Sequence, residues 1–511
     1  MKKYFFFLVF VLQSYSNILA QQGAYQEQHR PQFHFSPAKN WMNDPNGLIF
    51  YKGEYHLFYQ YYPDSTVWGP MHWGHAVTSD LIHWEHLPIA LFPDENGCIF
   101  SGSAVIDEKN TSGFAPKNSE NAPMVAIFTY HNLDWERAGR LDRESQGIAY
   151  SLDKGRTWTK YAQNPVLKNK GDVDFRDPKV FWHEATQHWI MPLAVGEQLE
   201  IFNSPNLKDW TKVSEFGKNE GAHGGVWECP DLFEMPNAEG KKWVLLQNMG
   251  RGAANGGSGT QYFVGDFDGK TFKNDNAPDK ILWLDYGADN YAGVTWLGNL
   301  DGRKIFIGWM SNWDDYATKV PTSTWRSAMT VPRTLELKQT SEGLRLFQMP
   351  VEEAKKLRIK TTSLKNKIFS NQLIINELYV QKEVELTFDL SKTNATDIGF
   401  TLSNTRGELV EITYNKTSET FYIDRTKSGK VNFSEKFAQR YSAPYKASKI
   451  LKINALIDAS SIEVFVDEGK LTMTETFFPN EDFKNLLFFA KNGKTKVKKA
   501  TIYQLKRIWK E

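Results

Sequence analysis

The sequence predicts an all-β protein, a five-bladed β-propeller followed by a C-terminal β-sandwich. Three observations predict it. Short β-rich runs bounded by turn residues fill the chain, among them EYHLFYQYY (Glu54 to Tyr62), WVLLQNM (Trp243 to Met249) and KIFIGWM (Lys304 to Met310), and helical periodicity is absent before about Val351. A weak internal repeat, a polar turn closing on an aromatic residue, ends at Trp84 (TSDLIHW), Trp158 (SLDKGRTW), Trp210 (NSPNLKDW) and Phe272 (GDFDGKTF). One copy per four-stranded blade, with insertions, is the pattern of a propeller. The β-rich stretch from about Asp289 to Leu335 supplies a fifth blade. Beyond Pro350 the character changes to alternating strands such as EVELTFDL (Glu383 to Leu390), SIEVFVDEG (Ser461 to Gly469) and KNLLFFA (Lys484 to Ala490), the spacing of a sandwich.

Taken in order, residues 1–20 have the layout of a secretory signal peptide. Lys2 and Lys3 precede an apolar run from Tyr4 to Leu12, with cleavage expected after Ala20. That run is too short to span a bilayer, and no other stretch of about 18 apolar residues occurs. No cysteine lies near the cleavage point, so no lipid anchor is expected, and the mature protein should be secreted or periplasmic. The propeller is assigned to 30–349, a charged linker (VEEAKKLRIK and beyond) to 350–366, and the sandwich to 367–511. The sandwich shows no clear binding cluster, so packing against the propeller is favoured over sugar binding as its role.

Lys and Arg number 61 against 60 Asp and Glu, a net charge of +1 without a long basic run, which argues against nucleic acid as a partner. Aromatic residues make up 14% of the chain with 17 Trp, a surplus of flat apolar faces that leans toward sugar rings. Cys98 and Cys229 are the only cysteines, and free thiols are favoured over a bridge.

The blade starts carry unusual polar stretches: NDPNG (Asn43 to Gly47), FSGSAV (Phe100 to Val105), FRDPKVF (Phe175 to Phe181), WECPDLF (Trp227 to Phe233) and DYGADNYAG (Asp285 to Gly293). Turn chemistry alone explains much of NDPNG, since Asp-Pro and Asn-Gly are turn dipeptides. Independent turns, however, have no reason to recur in phase with blades. The first strand of each blade lines the axis, so Asp44, Asp177 and Glu228 should converge at one funnel. Carboxylates that close suit glycoside hydrolysis with retention, in which one attacks and one protonates the leaving oxygen across about 5–5.5 Å. Like charge and an apolar neighbour such as Trp227 would raise the pKa of Glu228 and make it the proton donor. Arg176 can grip substrate only if the strand bends, because neighbouring strand residues face opposite ways.

His72, His75, His83 and His86 cluster in sequence but lack zinc-ligand spacing, so structural roles are favoured and no metal is expected. The Gly-rich RGAANGGSGT (Arg251 to Thr260) is followed by no Gly-Lys-Ser/Thr, and reads as a rim loop, not a phosphate site. Asn110, Asn394, Asn415 and Asn432 begin glycosylation sequons.

NDPNG, FRDP and ECPD, in this order, together with FYQ (Phe58 to Gln60), WG (Trp68, Gly69), FSGS and DYGADNYA, resemble the signature motifs of glycoside hydrolase family 32. The resemblance covers nearly the whole chain after the leader. That family contains invertases, inulinases and levanases, and its fold is a five-bladed propeller with a C-terminal β-sandwich. The resemblance implies that Asp44 is the nucleophile, Glu228 the acid/base, and Asp177 the residue that grips fructosyl hydroxyls and stabilises the transition state. It further implies that Asn43, Gln60, Trp68, Phe100, Ser101 and Arg176 hold the terminal fructose, with Trp309 in the wall, and that Cys229 tunes the acid/base. Position 290 is Asn where many members carry an aromatic residue. No cofactor is implied. The expected substrate is a fructan or sucrose, with exo action favoured. Endo cleavage or fructosyl transfer would use the same acids, and a non-catalytic fructan-binding protein would use the same scaffold.

Overall fold

The computed structural model describes residues 25–375 and 378–509, so the leader expected over 1–20 lies outside the described residues. Among the described residues no helix is long and apolar enough to cross a membrane.

Five antiparallel sheets form the ring. Their inner strands are Asn40–Tyr51, Cys98–Ile106, Phe175–Arg176, Trp227–Asn237 and Tyr291–Thr295, and the inner strands of neighbouring blades meet around the axis. The ring is closed between its last and first blades: Trp325–Arg326 pairs in parallel with Asn40 and Trp41, and Leu297 bridges to Ile49. Near the axis the buried Lys179 Nζ lies 3.2 Å from Asp231 Oδ1 and donates to Thr295 O at 2.8 Å, which ties three blades together. Leu297 touches the hydrophobic clusters of three blade pairs and plugs the centre.

Every inner strand is interrupted at the same level. Register shifts fall between Met42 and Pro45, Ile99 and Gly102, Glu228 and Asp231, and Tyr291 and Val294. In the third blade the strand breaks after Arg176 and resumes at Phe181–His183. Bulges re-aim side chains, and here they turn polar residues of NDPNG, FSGSAV, FRDPKVF and WECPDLF toward one mouth. Gly47 sits at φ +51° with the Phe58 and Trp73 rings where a Cβ would stand, so the first bend requires glycine.

The C-terminal domain is a sandwich whose two layers share two long strands, Arg358–Ile375 and Asn485–Leu505. One half of Asn485–Leu505 pairs with Lys382–Asp389, the other with Asp397–Ser403. The expected linker over 350–366 is corrected. A 3₁₀ turn at Glu352–Leu357 is the whole connection, and Arg358 already begins the first strand. That strand lies at a sheet edge and is mostly exposed, so it carries none of the apolar alternation that marks half-buried strands.

The two domains are fastened by buried ion pairs. Arg333 reaches Asp285 at 3.1 Å, Thr474 Oγ1 at 2.7 Å, and Glu463. Arg425 reaches Glu475 at 2.9 Å and also pairs with Asp289. Two acids of DYGADNYAG therefore serve the domain interface and not the funnel. Asn290 is buried there too, donating to Asp285 Oδ2 at 3.1 Å, so the departure at this position does not touch the cavity.

Candidate active site

Nine of the ten residues singled out in the sequence line one cavity of about 230 Å³ at the axial mouth: Asn43, Asp44, Gln60, Trp68, Phe100, Ser101, Arg176, Asp177 and Glu228. Trp309 does not. It is fully buried on the strand Lys304–Met310, packed behind Trp41 and Tyr291, while the half-exposed Trp313 takes the wall position. The expectation failed because that strand is buried on both faces, and the chain leaves it only after Met310.

Asp44 is held by donors. Ser101 Oγ donates to its Oδ2 at 2.6 Å and Asn43 Nδ2 to its Oδ1 at 3.1 Å. Asn43 is itself oriented by Trp41 Nε1–H, which donates to its Oδ1 at 2.7 Å. Behind Ser101, Asn46 satisfies its neighbours when its amide donates to Ser101 Oγ at 3.2 Å and accepts from Gln60 Nε2 at 3.0 Å. Burial pushes the Asp44 carboxyl up, and the Ser101, Asn43 and Cys229 hydrogen bonds pull it back toward the anion.

Asp177 sits in the break of its strand at φ +63°, the bend that lets Arg176 and Asp177 both face the cavity. Its N–H donates to Thr129 Oγ1 at 3.0 Å, and its Oδ2 accepts the Cys229 N–H at 3.1 Å. The Cys229 thiol lies 3.6 Å from Oδ2 of both Asp44 and Asp177, which brings motifs from two distant blades onto one sulfur. Burial, opposed by Arg176 and reinforced by the Glu228 and Asp44 charges, lifts Asp177 above the usual carboxylate range.

Glu228 has a partner on each oxygen. Arg176 donates to Oε1 through Nε at 3.3 Å and Nη2 at 3.1 Å, and Tyr291 OH donates to Oε2. Burial raises this carboxyl, Arg176 opposes it and the Asp44 charge adds to it, for a net rise to about 7. A group that titrates near neutrality both gives and takes a proton readily. Trp227 is not its apolar neighbour, because it faces the opposite way into the core between the third and fourth blades.

Sequence reasoning missed several wall residues. Tyr291 lies inside a quoted motif, but an aromatic at a strand start reads as core. Glu144 accepts from Arg176 Nη1 at 3.2 Å and from His131 Nδ1 at 3.0 Å, and Asp174 accepts from Arg176 Nη1 at 2.7 Å. Burial opposes ionisation of Glu144, but Arg176 and His131 hold it down at about 2, a fixed anion that aims the guanidinium. Phe100 stacks on His131 with centroids 4.2 Å apart and meets Trp68 edge-on at 5.9 Å, forming an aromatic wall.

The other sequence candidates lie elsewhere. His75 pairs with His56 at 3.0 Å, His86 with Tyr25 at 2.7 Å, His83 with Asp80 at 2.9 Å, and His72 with Pro70 O at 3.0 Å. Among the described residues no group of three or more His, Cys, Asp or Glu is placed to hold a metal ion. The Gly-rich loop lines a separate crevice of about 440 Å³ against the sandwich. Its Asn255 donates to Tyr286 O at 2.6 Å and Ser442 O at 2.9 Å. Both cysteines are buried and unbridged.

A propeller that gathers three carboxylates, one buried and two partly exposed, with a guanidinium and an aromatic wall at its axial mouth defines a glycoside hydrolase of the acid-pair type. The profile of the Glycosyl hydrolases family 32 N-terminal domain matches residues 34–350, and that of the Glycosyl hydrolases family 32 C terminal matches residues 351–504. A levanase of Bacillus subtilis (strain 168) is 48% identical over 513 residues, covering 98% of this chain and 74% of that protein. An extracellular exo-inulinase of Aspergillus awamori is 39% identical over 524 residues, covering 95% of this chain and 96% of that protein. The crystal structure of exo-inulinase from Aspergillus awamori superposes with a TM-score of 0.87 at 38% identity, over 95% of this chain and 100% of that one. Fructofuranosidase from Schwanniomyces occidentalis complexed with fructose gives a TM-score of 0.86 at 33% identity, over 95% and 99%. The chain belongs to glycosyl hydrolase family 32 and is a β-fructosidase.

Proposed function

We propose that the protein is an exo-acting, retaining β-fructosidase that releases fructose from the ends of fructans and from sucrose. The observation that carries exo action is the small size of the cavity. At about 230 Å³ it falls below the roughly 300–1,000 Å³ of sites that enclose drug-sized ligands. It suits one terminal sugar unit, with Trp68 and Trp313 at its walls.

In this reading Asp44 attacks the anomeric carbon of the terminal fructosyl unit as the glycosidic C–O bond breaks, and Glu228 delivers its proton to the leaving oxygen. The ionised Glu228 then takes a proton from water, whose oxygen displaces Asp44 from the anomeric carbon. Asp177 stabilises the oxocarbenium-like transition state by gripping fructosyl hydroxyls. Asn43, Gln60, Ser101 and Arg176 position the same ring through polar contacts, and Trp68 and Phe100 close over its apolar face. The named relatives include an extracellular enzyme, and with the leader read in the sequence this supports secretion.

Asp44→Asn is expected to abolish fructose release while the folded spectrum and melting temperature stay unchanged. A time course on levan and on inulin tests the mode of attack. Free fructose from the first time points supports exo action, whereas early oligosaccharides would replace it with internal cleavage.

A further inference from the structure

Arg358–Ile375 and Asn485–Leu505, paired along their lengths, form a ribbon of one charge sign. Together these segments hold nine Lys and Arg and no Asp or Glu, in a chain whose overall charge is +1. Arg358 is taken up by Glu383 and Glu385, and Lys491 by Glu411. Lys365, Lys367, Lys494, Lys496, Lys498 and Lys499 form no ion pair with any carboxylate among the described residues, and all but Lys496 are exposed. Lys365 stands directly opposite Lys499, a like-charge cross-strand pair that destabilises the ribbon.

Lysines on an edge strand also guard against unwanted strand pairing, but that role does not account for what lies between them. Ile359, Ile368 and Ile374 are 55%, 61% and 50% exposed on the same strand, and Ile368 is flanked by Lys367 and faces Lys496 across the pair. Isolated apolar residues on a surface are ordinary. Three strongly exposed isoleucines on one lysine-rich strand combine the two elements of peripheral lipid binding, ammonium groups for headgroup phosphates and aliphatic side chains for the acyl boundary.

We propose that this ribbon docks the enzyme reversibly on an anionic lipid surface. The ribbon contributes no residue to the catalytic cavity.

The test is co-sedimentation of the full mature chain with vesicles of phosphatidylcholine alone and of an equimolar mixture with phosphatidylglycerol. Binding is expected on the mixed vesicles only, and it should vanish in molar salt as charges are screened. Each Lys→Gln change at 365, 367, 494 or 499 should lower the partition coefficient about fivefold, and Ile368→Asn should lower it further at constant charge. Hydrolysis of sucrose by these variants should match the parent, which shows that they fold. Equal partition to neutral and mixed vesicles, or unchanged binding by the fourfold Lys→Gln variant, overturns the proposal. So does an Ile368→Asn variant that binds vesicles like the parent while dextran sulfate competes fully, since the ribbon would then be a polyanion site. A ribbon-dependent dimer in sedimentation velocity, with no vesicle binding, also overturns it.

Discussion

Arg176 and Glu228 face each other across the cavity with two guanidinium N–H groups on a single carboxylate oxygen, Oε1, at 3.3 Å and 3.1 Å. The other oxygen, Oε2, belongs to Tyr291. The guanidinium is itself clamped by Glu144 and Asp174, so its position does not depend on substrate. Arg176 thus both orients Glu228, the proposed acid/base, and opposes the rise of its pKa, and these two roles can be separated by experiment.

In the proposed mechanism Glu228 is protonated when it assists the leaving group, so kcat/KM should fall as pH rises through about 7. In Arg176→Gln the cation that favours the carboxylate is gone, and the pKa of Glu228 rises. The alkaline limb should move to higher pH by about one to three units, alongside a lower maximal rate. A pH–rate profile that falls in height with its limb unmoved would assign Arg176 to positioning alone.

Glu228→Gln keeps the shape of the side chain and its contact with Arg176 but removes the transferable proton. Loss of general acid–base catalysis costs about 10²- to 10⁴-fold. A substrate whose leaving group departs without protonation should escape most of that loss. Steady-state rates on sucrose and on an activated aryl fructoside provide the comparison, and equal losses on both would count against the acid role.

The parts of the site that were legible from the residues themselves are polar residues in strings that recur in phase with the blades, while Gln60, Trp68 and Phe100 were reached only through the family resemblance. Asp44, Asp177 and Glu228 satisfy that test, as do Asn43, Ser101 and Arg176. Tyr291 and Trp313 do not, because an aromatic residue in a β-rich chain carries the same signal whether it lines a cavity or fills a core. Trp309 was misplaced for that reason. Asp285 and Asp289 failed in the opposite sense: they recur in phase, but their partners Arg333 and Arg425 lie far along the chain, one of them in the sandwich. Pairings across such separations are invisible to local pattern. The linker was overdrawn because an exposed edge strand has no buried face to write an alternation.

The cysteines allow a simpler check. Burial pushes the Cys98 thiol up, and burial together with the Asp177, Asp44 and Glu228 charges pushes Cys229 further. Both should resist alkylation in the native protein, and two thiols should titrate once it is unfolded. Native labelling of Cys229 at the rate of a free thiol would show that the packing behind Asp44 and Asp177 opens.

The domain interface should respond to alkaline pH. His34 is fully buried between Asp458 Oδ2, 2.8 Å from Nδ1, and Glu463 Oε1, 2.7 Å from Nε2. Burial disfavours the imidazolium, but the two carboxylate hydrogen bonds outweigh it and raise the pKa to about 9. The folded value lies above the unfolded one, so the stabilisation is full below about pH 6.5 and is lost as pH rises through about 9. His34→Ala leaves two buried carboxylates short of a partner and should cost roughly 3–5 kcal/mol at pH 6. It should also flatten the decline in melting temperature between pH 7 and 9, because the titrating group is gone. Thermal melts of both proteins across that window decide the matter. A parent protein equally stable at both ends would mean that His34 is neutral in the fold and adds no ion pair to those of Arg333 and Arg425.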